Sequence, residues 1–199
     1  MSEEFWDAHY RARDGVWLGR ANAVLVDVVG SLPPGTALDL GCAEGGDAVW
    51  LATHGWRVTA VDVSPTALAR AAAHAADAGV EVDLQHHDLA RTFPKGTFDL
   101  VSAQYLQSPL DFPRAEVLRK AAAAVAPGGL LLVVEHGSAA PWSWNQDAVF
   151  PTPEESLAEI GLDSEEWRAE RLGAPQREAT GPSGQTATVT DIIIALRRG

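Results

Sequence analysis

The stretch Thr36-Ala37-Leu38-Asp39-Leu40-Gly41-Cys42-Ala43-Glu44-Gly45-Gly46-Asp47 constrains this chain more than any other. A strand-length apolar run enters a turn with three glycines in six positions, and an amphipathic segment leaves it. A second apolar run, Arg57 to Val61, then ends on Asp62. This is a β-turn-α-β pattern. The glycines permit positive φ and close approach of the backbone to a ligand, and the helix starting near Glu44 aims unpaired N–H groups at the same place. Asp62, at the carboxyl end of the second strand, stands where such units hold two ribose hydroxyls. The pattern predicts a nucleoside-containing cofactor and leaves open which one.

Around this unit the chain alternates strands and helices. Two short helices, Glu3 to Tyr10 and Arg20 to Val29, precede it, and the loop between them carries Trp17 among arginines where it can cover a site. Ser64-Pro65 starts an alanine-rich helix that ends near Gly79, with Ser64 as N-cap and Pro65 at the first helical position. Strands follow at Val82 to His86, Thr97 to Ser102 and Leu130 to Glu135. The helix between the last two, Arg114 to Val125, is expected to stop at Pro127-Gly128-Gly129. After Gly137 the periodicity lapses as far as Phe150. A short helix over Pro153 to Ile160 and two strands, Glu166 to Leu172 and Thr186 to Leu196, complete the pattern, with Gly181-Pro182-Ser183-Gly184 supplying hairpin chemistry.

Composition narrows the function classes. With 199 residues, 46% hydrophobic and 21% charged, the chain fits one globular domain, and no apolar run reaches the roughly eighteen residues of a membrane span. The amino terminus, Met1-Ser2-Glu3-Glu4, lacks a basic region and apolar core, so the expected location is cytoplasmic. Cys42 is the sole cysteine, and no Cys/His grouping has zinc-site spacing; His86 and His87 alternate across a strand, so they do not make a metal pair. A formal charge of -12 with fifteen scattered Lys and Arg argues against a nucleic-acid partner.

Together these segments resemble the class I S-adenosylmethionine-dependent methyltransferases. The resemblance covers almost the entire chain. It rests on Leu38 to Gly46, Val61-Asp62, Asp88-Leu89, Phe98-Asp99-Leu100-Val101 and Pro127-Gly128-Gly129. It implies an α/β, Rossmann-like, mostly parallel sheet of seven strands in the order 3-2-1-4-5-7-6, with strand seven antiparallel and helices on both faces. It also implies a single domain over residues 1–199: covering helices in 1–35, a cofactor core in 36–135, and a substrate-side loop with a closing hairpin in 136–199. Within the class the chain is most similar to bacterial tellurite-resistance and thiopurine methyltransferase-like proteins, by Trp6-Asp7 and the layout from Asn145 to Arg198. Tellurite-resistance members carry a His-Arg pair on the penultimate strand that is implicated in methyl transfer. Here that place holds Gln176-Arg177, so the arginine matches and the histidine does not.

The resemblance implies S-adenosylmethionine as cofactor and S-adenosylhomocysteine as product. Gly41, Ala43 and Gly45 would line it with backbone, and Asp39 would lie near the methionine amino group, where a cation gives a buried carboxylate its partner. Asp62 would take the ribose hydroxyls and Val63 would pack on adenine. Asp88 and Leu89 would meet the adenine edge, and Gln104 the methionine part. Each has a plainer alternative: Asp39 in a salt bridge, Asp88 capping a turn. Trp17 either covers the cofactor or packs, and Arg20 either clamps a carboxylate or is solvated. His136, just past strand five, is a general-base candidate or a strand cap, and Arg177 is the second catalytic candidate. Trp142 and Trp144 either wall an acceptor pocket or pack.

The expected reaction is direct in-line methyl transfer to a small-molecule acceptor, a soft or oxygen nucleophile. The residues Gln104-Tyr105-Leu106-Gln107 stand where enzymes for amide or base nitrogens carry an Asn/Asp-Pro-Pro-Tyr-type motif. Two alternatives stay open: an NAD-dependent oxidoreductase, since Gly41, Ala43 and Gly46 fit a relaxed G-x-A-x-x-G, and a protein that binds the cofactor without turnover. Oligomeric state is not legible.

Overall fold

The computed structural model describes residues 2–12, 19–143, 146–181 and 183–199. In chain order the elements are α1 (Ser2–Arg11), α2 (Ala23–Val29), β1 (Thr36–Leu40), α3 (Gly46–Thr53), β2 (Arg57–Asp62), α4 (Pro65–Asp77), β3 (Asp83–His86), β4 (Phe98–Gln104), α5 (Arg114–Ala123), β5 (Val125–His136), α6 (Pro153–Ile160), β6 (Trp167–Gly173), β7 (Gln176–Thr180) and β8 (Thr186–Arg198). The sheet runs β3-β2-β1-β4-β5-β8-β6, with β7 also paired to β8. Strands β1 to β5 are parallel, and β8 is antiparallel to β5.

The order is the expected one; the outer edge differs. Gly173 pairs with Ile193 and Gln176 with Thr190, which is one continuous register, so β6 and β7 form a single edge line interrupted at Ala174-Pro175. Proline has no N–H to donate, which an edge tolerates, while the Pro175 carbonyl still accepts the Asp191 N–H at 3.1 Å. Eight strand segments thus fill the seven expected places. A second difference lies at Pro127-Gly128-Gly129. Helix α5 has already ended at Ala123, and these residues fall inside β5, where the register shifts between Phe98↔Val125 and Leu100↔Leu130 and Gly128 takes φ +76°. Helix α2 starts at Ala23 rather than Arg20, with Asn22 at its N-cap.

Both sheet faces are covered, which is why the central strands are apolar almost throughout. One core joins Leu38, Leu40, Val101, Leu131, Val133 and Ile192 to Val117 and Leu118 of α5. The other joins Ala37, Val58, Ala60, Leu100, Leu132 and Val134 to Leu25 and Val29 of α2 and to Ala48 and Leu51 of α3. Strand alternation therefore places Asp39, Asp62, Ser102, Gln104, His136 and Asp191 on the α2/α3 face at one end of the sheet. Helix α1 is fastened to the start of α4: buried Asp7 accepts the Ser64 hydroxyl and the Thr66 N–H, each at 2.9 Å. Ser64 in turn caps α4 through the Ala67 N–H, as its place before Pro65 predicts.

Candidate active site

The turn after β1 takes the left-handed conformation at Gly41 (φ +70°), Ala43 (φ +50°) and Gly45 (φ +84°). Such a conformation costs a residue with a Cβ about 1–2 kcal/mol, so Ala43 needs a restraint. Asp62 provides it: one carboxylate oxygen accepts the Ala43 N–H at 3.0 Å, and the other accepts the Ser64 N–H at 2.9 Å. The Val61 carbonyl takes the N–H groups of Gly41 and Cys42. A Cβ on Gly45 would lie 2.8 Å from that of Ala71, and one on Gly46 would lie 2.5 Å from the Arg20 carbonyl. These glycines let α4 and the covering segment close onto the turn.

Three carboxylates share this end of the sheet. Asp39, Asp47 and Asp62 are all buried. Asp47 is held by Asn22, whose backbone N–H donates at 2.6 Å and whose side-chain amide donates at 2.8 Å; this pair, which fixes the covering segment to α3, escapes a reading of the sequence alone. Burial pushes the Asp39 carboxyl well above the usual carboxylate range, and the charges of Asp47 and Asp62 push it further. Burial also raises Asp62 against the bonds from Ser64 and Ala43, and raises Asp47 against those from Asn22.

Two acceptors on this face of the sheet remain unsatisfied. Asp39 Oδ2 is buried with no hydrogen bond among the described residues, and so is Gln104 Oε1. They are neighbours in the sheet: Asp39 pairs in register with Ser102, and the Gln104 amide donates to the Ser102 hydroxyl at 3.0 Å. Each such acceptor costs about 1–3 kcal/mol when left unpaired. A ligand with a cationic, multi-donor end would satisfy both and would match the charge of Asp39.

The remaining expected residues fall in different places. Trp17 and Trp144 lie outside the described residues. Arg20 meets the turn through its carbonyl beside Gly46, and the residue itself is exposed. The Val63 carbonyl bonds to His86 Nε2 at 2.8 Å. Asp88 caps its own turn, accepting the Ala90 N–H at 3.1 Å, and Leu89 is buried in the core on the α5 side. Buried Glu44, absent from the expected set, pairs with Arg70 at 2.6 Å.

A second cluster forms beyond Gln104. Tyr105 has φ +52°, an outlier for an aromatic residue, which turns its ring onto His136 with centroids 4.5 Å apart and planes at 29°. Arg177 reaches in from β7: its Nε donates to Asp191 at 2.5 Å, and its Nη2 donates to Asp191 at 3.3 Å and to the Tyr105 hydroxyl at 3.3 Å. Asp191 is buried and lies directly across the ladder from His136. Burial and then Asp191 push the Tyr105 phenol up to about 12. His136 as a residue is exposed, yet the protein packed around its ring lowers its pKa below the usual histidine value, as does the Arg177 charge, against an opposing pull from Asp191. Trp142 lies against Gly181, where an added Cβ would come within 2.6 Å of the indole, so it packs on the β7–β8 connection.

A doubly wound sheet with a glycine turn and acids at the carboxyl ends of its first two strands defines a nucleoside-binding α/β protein. Residues 37–129 match the family model described as a methyltransferase domain. The chain is 31% identical over 139 residues to a ubiquinone biosynthesis O-methyltransferase of Xanthomonas campestris pv. campestris (strain B100), covering 67% of this chain and 56% of that protein. It is 32% identical over 120 residues to ribosomal RNA small subunit methyltransferase C of Alcanivorax borkumensis, covering 58% of this chain and 36% of that protein. It thus spans only about a third to a half of the length of these curated relatives. TehB from Haemophilus influenzae superimposes with a TM-score of 0.73 at 18% identity, over 100% of this chain and 67% of that one, a likeness of fold. Residues 37–129 thus carry a methyltransferase domain, and the chain is similar to methyltransferases over two thirds of its length.

Proposed function

We propose that the chain binds S-adenosylmethionine and transfers its methyl group in line to a small-molecule acceptor, a soft or oxygen nucleophile. The observation that carries this reading is the pair of unsatisfied buried acceptors, Asp39 Oδ2 and Gln104 Oε1, beside a glycine turn braced by Asp62. The ammonium of a methionine moiety supplies donors to both, and Asp62 keeps lone pairs for ribose hydroxyls. Gly41, Ala43 and Gly45 would line the cofactor with backbone, Val63 and Asp88-Leu89 would bound its adenine, and Arg20 with Trp17 would cover it. His136 and Arg177 would face the acceptor. The bound cofactor supplies an already activated methyl group, and positioning can contribute up to about 7–11 kcal/mol.

A nicotinamide nucleotide fits the glycine spacing, but its charged ring nitrogen carries no N–H, so it brings no ammonium donors to Asp39 and Gln104. The resemblance to tellurite-resistance and thiopurine methyltransferase-like proteins narrows the class further, with Gln176 in place of the expected histidine. The net charge of -12 supports a small acceptor over a nucleic acid. No helix among the described residues is long and apolar enough to cross a membrane. On our reading the chain works as one cytoplasmic unit over residues 1–199. Calorimetry with S-adenosylmethionine, S-adenosylhomocysteine and NAD tests the reading. Micromolar binding of both sulfur nucleosides and none of NAD is expected, and binding of NAD alone would overturn it.

A further inference from the structure

The charges of the Tyr105-His136-Arg177-Asp191 cluster decide what kind of acceptor it suits. The Arg177 guanidinium is matched by the buried Asp191 carboxylate through two bonds, Tyr105 is a protonated phenol, and the pair carries no net charge. An anionic acceptor therefore meets no unbalanced cation here. His136 differs from four of the other five histidines: His54, His74, His86 and His87 each have a ring nitrogen engaged, whereas neither ring nitrogen of His136 has a hydrogen-bond partner among the described residues. Its ring is nevertheless oriented, by the Tyr105 stack, and its backbone N–H is tied to Gln107 Oε1 at 3.1 Å. The charged or titratable groups facing it are Tyr105 from the end of β4, Arg177 from β7 and Asp191 from β8. Glu135 lies on the opposite face, paired with Arg114. Gln104, whose Oε1 is unsatisfied, pairs with Val134, so His136 stands one step beyond the cofactor's methionine end on the same face.

We infer that the acceptor is a neutral X–H nucleophile, a phenol or thiol, whose proton passes to His136 as X attacks the methyl carbon, with Tyr105, Arg177 and Asp191 positioning the imidazole. The assignment rests on the methyltransferase reading. The X–C bond forms as the C–S bond breaks, its electron pair stays on sulfur as a neutral thioether, and the positive charge leaves as the proton on His136, which solvent then removes. The structure thus favours a base-assisted reaction over capture of a preformed oxyanion.

The test is turnover of [methyl-³H]-S-adenosylmethionine with matched acceptors: substituted phenols and alkane thiols against selenite and benzoate. Methylation of the neutral acceptors is expected. With phenols, log kcat/KM should rise with pH and level off past a single ionisation below the usual histidine value of about 6.5. His136→Gln should lower kcat about 10²–10⁴-fold and flatten that profile, with S-adenosylhomocysteine affinity by calorimetry unchanged within about twofold, which also shows the variant folded. Tyr105→Ala should lower kcat and move the inflection up, and Tyr105→Phe, which keeps the stack, should restore most of both. Turnover of selenite or benzoate alone, full activity in His136→Gln, or silence on every neutral acceptor with the cofactor bound would each overturn the inference. Failure to bind either sulfur nucleoside would instead overturn the methyltransferase reading.

Discussion

Replacing Asp39 with asparagine separates binding from stability, because the same carboxylate serves one and opposes the other. Asp39 Oδ2 is buried without a hydrogen bond among the described residues, and Asp47 and Asp62 add like charge. The folded-state pKa is raised, so the folded protein holds more protons than the unfolded chain from about pH 4 up to that raised value. Stability falls as pH rises through the window. Asparagine has the same shape and no charge, so Asp39→Asn removes that slope and relieves a penalty of about 1–3 kcal/mol. In a protein of this size this corresponds to a Tm gain on the order of 2–12 °C. The opposite holds for the cofactor. A hydrogen bond to a charged group contributes about 1.5–3 kcal/mol, so affinity for S-adenosylhomocysteine should drop about 10- to 150-fold. Differential scanning fluorimetry at pH 7 and calorimetry on the same samples measure both. A variant with lower Tm and unchanged affinity would refute the reasoning, because it would mean that Asp39 already has its partner within the protein.

Asp62→Ala releases the Ala43 and Ser64 N–H groups together, so S-adenosylhomocysteine binding should weaken at least about 100-fold, read by calorimetry at a temperature where circular dichroism shows the variant folded. Asp7 has its pKa lowered by the Thr66 N–H first and then by Ser64 and Arg11, so its contribution is complete above the unfolded value near 3.8 and fades as pH falls through the folded one. Asp7→Ala should therefore lower the urea midpoint at pH 6 and leave it unchanged at the acid end. Glu135 is buried with Arg114 and the Ser156 hydroxyl, and Arg114 also pairs with Glu159 at 3.0 Å, so Glu135→Ala should cost about 1–3 kcal/mol in urea unfolding by leaving the Ser156 hydroxyl and one end of the guanidinium unpaired. Pairing Glu135→Leu with Arg114→Met should cost much less.

Some of this molecule can be read directly from the chain. Leu38 to Gly46 and Val61-Asp62 announce the turn because everything they need is local: an apolar strand, glycines where φ must be positive, and an acid at the next strand end. The sheet order comes with the resemblance that these motifs carry, since the spacing of strands and helices does not itself set it. The interrupted edge is not legible. Ala174-Pro175 looks like a turn, and only the continuity of register along β8 shows that the line of β6 carries on into β7. Nor does any periodicity reveal that Asn22 holds Asp47. Two signals were present in retrospect: an asparagine just ahead of the apolar run of α2, and an acid in the first turn of a helix whose neighbours are buried.

The two halves of the site differ in how far apart their residues lie along the chain, and this governs what each could reveal. Asp39, the glycine turn and Asp62 belong to one supersecondary unit, so spacing alone brings them together. Tyr105 follows β4, His136 ends β5, Arg177 lies near the start of β7 and Asp191 lies within β8, and they meet because β8 runs antiparallel between β5 and the β6–β7 edge. Without that order, Arg177 is a lone arginine on a polar strand. Asp191 is a lone acid ahead of Ile192-Ile193-Ile194, in a strand whose burial would otherwise exclude it. That acid was the available signal: a carboxylate in a strand covered on both faces needs a partner, and the nearest cation on the neighbouring edge is Arg177. Once the two are paired, the acceptor end of the site loses its net charge. On the inference drawn above, Arg177, which the tellurite-resistance pattern marks for chemistry, would act as a strut, and His136 beside it would take the proton.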